Sequence, residues 1–182
     1  QSDIVKRQAE LYGVRHAYEF LESAYRNSTP PQNAHLLAHV IGEYAYKELG
    51  GEGVKICRQS FNFGCFHGFF NSLVKEKDLN SVAGAKQACV SPAKGKYFAC
   101  LHGIGHGIFE REQDIDRALA VCDDFQDLEE KLYCGSGVFM ANVLDLIAKK
   151  ESAPKHLFCL GFCEEVENRW IEVCYTEQIA AV

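Results

Sequence analysis

The sequence predicts an all-α fold, a right-handed α-solenoid of stacked helical hairpins stapled by disulfides. Three observations point there. Cysteines recur at a near-constant period, apolar residues recur at helical spacing, and β-branched alternation is scarce. Cys65, Cys100 and Cys134 each open a small-residue block (CFHGFFNSLV, CLHGIGHGIF, CGSGVFMANV) and stand 35 and 34 residues apart. Cys57, Cys89 and Cys122 follow one another at 32 and 33 residues. A period of about 34 residues is the size of a two-helix unit that buries its apolar face only by stacking on its neighbours.

The elements follow in order. A helix over residues 3–26 caps the stack and ends before NSTPPQ, where the Pro pair begins the next unit. Repeats are expected at about 31–64, 65–99, 100–133 and 134–174, in one domain over residues 1–182 of about four to five hairpins. In each unit the first helix starts at the cysteine block, as in CGSGVFMANVLDLIAKK. The second helix ends at a cysteine, as in LNSVAGAKQAC and DIDRALAVC, and a polar loop such as VSPAKGKYF or DDFQDLEEKLY follows. A stripe of small residues four apart, Gly103 and Gly107 among them, is the pattern that lets two helix backbones approach closely. Gly105 has no counterpart in the other repeats.

The nine cysteines include no Cys-x-x-Cys pair, which excludes a zinc ribbon, a thioredoxin motif and covalent c-type haem. Joining neighbours across the loops pairs Cys57 with Cys65, Cys89 with Cys100, and Cys122 with Cys134. Cys174 then meets Cys163 or Cys159, and one thiol is left over. Bridged cysteines imply an extracytoplasmic setting, periplasmic or secreted; reduced ones, the alternative, would be available to a metal. The opening QSDIVKRQAE has no apolar leader, as a mature, already-cleaved chain would not. No apolar stretch reaches the roughly 18 residues of a membrane span.

The period, the cysteine placement and the alanine-rich second helices over residues 54–174 resemble the cysteine-rich bacterial relatives of tetratricopeptide repeats. That resemblance implies an α-solenoid and no particular chemistry. The series HLLAHVIG (35–42), GCFHG (64–68), CLHGIGHG (100–107) and CGSGVFMAN (134–142) also resembles a group of exported prokaryotic proteins with CxHGxGHG blocks, which brings no established activity.

The histidines carry the chemistry. His35 and His39 form a His-x-x-x-His pair, and a shift of 32 residues brings them onto His67 and Asn71. A further 35 brings them onto His102 and His106, and Ser136 and Met140 hold the same places in the last block. Stacked helices set these places side by side along one wall. Each His pair is followed four residues on by a carboxylate, Glu43 or Glu110, candidates for metal ligands or general bases. Imidazoles gathered with carboxylates suit Cu, Zn or Fe, so His35, His39, His67, His102 and His106 are the expected ligands of a transition metal. An open coordination position would give a redox or Lewis-acid metalloenzyme; a filled one would give structure or storage.

The alternatives are a ladder of imidazoles bonded to one another and to backbone, in a metal-free module that binds a peptide or protein, and a non-covalent haem protein. His16 and His156 read as hydrogen-bonded core residues. The formal net charge of −6 excludes a nucleic-acid binder, because no basic run is present to neutralise phosphates. The string GIGHG lacks the strand and βαβ context of a dinucleotide loop.

Overall fold

Gly13 breaks the N-terminal segment into two helices where one was expected. In the computed structural model, which describes residues 2–26, 32–76, 82, 86, 89, 94–148 and 162–180, α1 is Ser2–Tyr12 and α2 is Val14–Ala24. Gly13 sits at φ +86°, a conformation that L side chains rarely adopt. The freed Val14 N–H donates to the Glu48 carboxylate at 3.0 Å. The two helices bury Val5, Ala9, Val14, Ala17, Tyr18 and Leu21 and both pack on α3, Gln32–Leu49. His16 faces solvent beside the Tyr12 ring and is not the core residue expected of it. His156 lies outside the described residues.

A 3-10 turn, Gly50–Ile56, leads to α4, Gly64–Glu76. Then come α5, Lys94–Glu112, α6, Ile115–Asp123, and α7, Leu128–Ala148. A short α8, Phe162–Glu165, and α9, Ile171–Ala180, complete the described chain. The long helices stack in sequence order: α3 on α4, α4 on α5, α5 on α7, and α7 on α9. All the regular structure among the described residues is helical.

Helix starts differ from expectation in two units. α4 begins one residue before Cys65, but α5 and α7 begin six residues before Cys100 and Cys134. Asp127 supplies the reason for α7: its carboxylate accepts the N–H groups of Glu129 and Glu130 at 2.8 and 3.3 Å, so the LEEKLY run is recruited as a first turn. Asp114 caps α6 in the same way through the Arg117 N–H at 2.9 Å.

Four disulfides join Cys57–Cys65, Cys89–Cys100, Cys122–Cys134 and Cys163–Cys174, with Cα separations of 5.3–5.7 Å. The neighbour pairing read from the repeat is therefore present, with Cys163 as the partner of Cys174. Cys159 lies outside the described residues. Each loop closure stabilises the fold by about 2–4 kcal/mol. No described helix is long and apolar enough to cross a membrane.

The small-residue stripe lets the helices meet backbone to backbone. A methyl group at Gly68 would lie 1.9 Å from the His39 carbonyl oxygen, and one at Gly137 would lie 1.9 Å from that of His102. Gly105, which the repeat leaves unaccounted for, makes room in the same way, since a Cβ there would stand 2.0 Å from the Cys134 carbonyl oxygen.

Candidate metal centre

Close helix approach brings the five aligned histidines, expected side by side along one wall, into one cluster, in contact with one another and enclosed among α3, α4 and α5. His35 and His39 come from α3, His67 from α4, and His102 and His106 from α5. The His67 ring centroid lies 5.1 and 5.2 Å from those of His35 and His39, and 5.3 and 4.1 Å from those of His102 and His106. His67 is 1% exposed and His106 4%; the other three are half-buried.

Each i, i+4 pair is held from outside. The His35 Nδ1 lies 2.8 Å from the Phe61 carbonyl oxygen, so Nδ1 carries the proton and Nε2 keeps its lone pair. The carbonyl is aimed by a turn in which Phe61, Asn62 and Phe63 all sit in the left-handed region, at φ 58°, 48° and 61°. Such a conformation costs roughly 1–2 kcal/mol per residue, and it is bracketed by the Cys57–Cys65 bridge. Backbone strain of this kind collects at functional sites.

The second pair is anchored by side chains. Ser136, on α7, donates its hydroxyl proton to the Glu177 carboxylate of α9. The serine oxygen therefore accepts from the His102 Nδ1–H, 2.8 Å away, and again leaves a lone pair on Nε2. Burial raises the Glu177 carboxyl above its usual range, the serine hydrogen bond only partly opposing this.

Within each pair the Nε2 atoms face each other, at 2.9 Å for His35 and His39 and 3.1 Å for His102 and His106. One shared proton satisfies such a contact in the metal-free protein. The separation is also close to the roughly 3.3 Å between two nitrogens bound tetrahedrally at about 2.0–2.1 Å from one zinc ion. His67 is different. Both its nitrogens are buried without a hydrogen-bond partner, as is the Asn71 Oδ1 one turn further along α4. A buried polar atom left unpaired costs about 1–3 kcal/mol.

Two triads result, His35–His39–His67 and His67–His102–His106, each with ligand atoms all within 4.8 Å of one another. Burial, then repulsion from His35, pushes His39 down to about 3; the same two causes bring His102 to about 4. Burial and the neighbouring imidazoles hold His67 and His106 well below the ordinary histidine range. These rings are neutral at physiological pH, the state a metal requires of them.

Glu43 is exposed, Glu110 is half-buried, and neither carboxylate belongs to the two triads. The reason is helical drift. At about 100° per residue, the residue eight positions along a helix lies roughly 80° from the first, so an i, i+4, i+8 stripe turns off the face that its first member occupies. The eight described cysteines are all in disulfides, which leaves no thiolate among the described residues to join the site. Sequence reasoning missed Glu177 and gave Ser136 an aligned place but no part in the site. The alignment held one signal, that Ser136 occupies a histidine place in the last block.

No family model matches the chain, and no curated protein or solved structure matches it.

Proposed function

We propose that this chain is an exported helical-repeat protein that binds a transition metal through His35, His39, His67, His102 and His106. The observation that carries the reading is His67: an imidazole 1% exposed, with both nitrogens unpaired, at the meeting point of two histidine triads. A polar ladder accounts for the two outer pairs, which satisfy each other and their anchors. It does not account for His67, whose two buried nitrogens have no hydrogen-bond partner and whose lone pair a bound cation would engage.

The donor set narrows the metal. All-imidazole coordination suits Cu, Zn or Fe and is a poor match for Ca or Mg, which take oxygen ligands. The anchors on His35 and His102 are the outer hydrogen bonds that ligating histidines ordinarily make, and the Ser136–Glu177 chain brings a carboxylate toward the cation's charge. The disulfides favour a periplasmic or secreted setting. The stacking of successive helices in sequence order supports a solenoid, the fold of the disulfide-stapled repeat proteins that the sequence resembles, and a right-handed one is the reading we propose. Haem is less well served, because axial ligation needs a flat slot between imidazoles and these rings are already in contact.

The test is elemental analysis of untagged protein from an oxidising compartment, beside the His102→Ala/His106→Ala variant. Near-stoichiometric Zn, Cu or Fe in the parent, sharply reduced in the folded variant, is the expected result. No metal in either protein, even after anaerobic reconstitution, returns the histidines to a structural role and leaves partner binding as the function to pursue.

A further inference from the structure

We propose that His67 bridges two metal ions, one held by His35 and His39 and the other by His102 and His106. This rests on the metal-binding reading above and goes beyond it in number and connectivity.

The helix order separates the pairs. α4 packs on α3 and on α5, so its His67 stands between the pair on α3 and the pair on α5. Each pair already has its own point of convergence, where two Nε2 atoms face each other at 2.9 or 3.1 Å. A single ion bound by all five rings would need two such points to merge across α4. His35 and His102 each have Nδ1 engaged, by the Phe61 carbonyl and by Ser136, so each offers one ligand atom. Among the described residues only His67 has both ring nitrogens buried and unpartnered. It alone belongs to both triads.

The proton balance is simple. A neutral imidazole carries one N–H and one lone pair. When ions occupy both nitrogens that proton passes to water, and the ring remains as an imidazolate of charge −1. An anion at this place offsets part of the charge that two divalent ions bring into a site whose ligands are otherwise neutral. The ions expected are two Cu(II), or Cu(II) with Zn(II), which imidazole nitrogen accommodates.

The experiment titrates the full, untagged chain with Cu(II) alone, removes excess by gel filtration, counts copper by elemental analysis and integrates the electron paramagnetic resonance signal. Two coppers per chain are expected, with an integrated signal far below the copper content, because a bridging imidazolate couples the two spins. His39→Asn should then bind one copper with its full signal. That variant copies Asn71, which fills the aligned place on α4, and keeps the test independent of whether His67→Ala folds. Two coppers with two full, uncoupled spins, or one copper per wild-type chain, would overturn the bridge while leaving metal binding intact. No bound copper would overturn both.

Discussion

The two histidine pairs have the same spacing and the same internal contact, yet the molecule anchors them by different means. His35 on α3 is oriented by a backbone carbonyl in a strained turn, which the Cys57–Cys65 bridge brackets. His102 on α5 is oriented by Ser136 and, through it, by Glu177 from two further helices. The first arrangement is local, 26 residues in span, and cannot be altered by changing the side chain that accepts the bond. The second reaches from residue 102 to residue 177 and depends on two replaceable side chains. Repetition of a helical unit therefore duplicates the ligands but not their supports, which each unit must find in whatever packs beside it.

The largest expected effect tests both pairs at once. The folded-state pKa values of His39, His67, His102 and His106 are all depressed, so the unfolded chain binds more protons as pH falls below the ordinary histidine value of about 6.5. Stability of the metal-free protein is full above that pH. It is lost progressively toward about 4 for His102 and about 3 for His39. Each buried ring contributes up to about 1.4 kcal/mol per pH unit, so several rings together approach the 5–15 kcal/mol of a whole domain. Guanidinium midpoints between pH 7.5 and 4.5 should fall steeply, and His106→Asn should flatten the slope. A midpoint indifferent to pH would mean that the rings are not buried as neutral groups.

Next come the helix contacts beneath the pairs. Gly68→Ala drives a methyl group into the His39 carbonyl and Gly137→Ala drives one into that of His102. Both obstructing atoms are backbone, so the helices must separate, and a loss of about 1–3 kcal/mol or more is expected in chemical denaturation. A loss confined to one variant would locate the tighter crossing.

The anchors should divide the two centres. Ser136→Ala and Glu177→Gln are expected to weaken metal at His102–His106 by about 10–100-fold, the usual cost of removing an outer hydrogen bond, while the site at His35–His39 holds. Competition with a chromophoric chelator measures both. Equal weakening of the two sites would show that the anchors act on the fold and not on one pair. The smallest effect is expected at Gly51, where an added methyl meets nothing within 4 Å. Gly51→Ala should stay within about 0.5 kcal/mol of the parent in both stability and metal content.

Much of the site could be read from residue spacing because a repeat places equivalent residues at equivalent heights. The alignment of His35, His67 and His102, and of His39 with His106, needs only a near-constant period and the i, i+4 geometry of a helix. The disulfide partners follow from the same period. Glu43 and Glu110 stand outside the two triads for the converse reason: the spacing extends one turn too far, past the point where helical drift carries a side chain off the face. Gly13 escapes a reading by pattern because its neighbours continue the apolar period on both sides, and only its positive φ shows that the chain turns there.

What the sequence determined by itself is the set of things governed by local spacing: helical units, cysteine bridges between neighbours, a small-residue stripe and histidines in register. Only the tertiary structure decided that the rings would be enclosed together, that His67 would be left without a partner, and that Phe61, Ser136 and Glu177 would hold the outer rings. Spacing along a chain sets which residues share a face, whereas enclosure and partnership depend on how closely two faces meet. At Gly68, Gly105 and Gly137 that closeness comes from the absence of a single carbon atom.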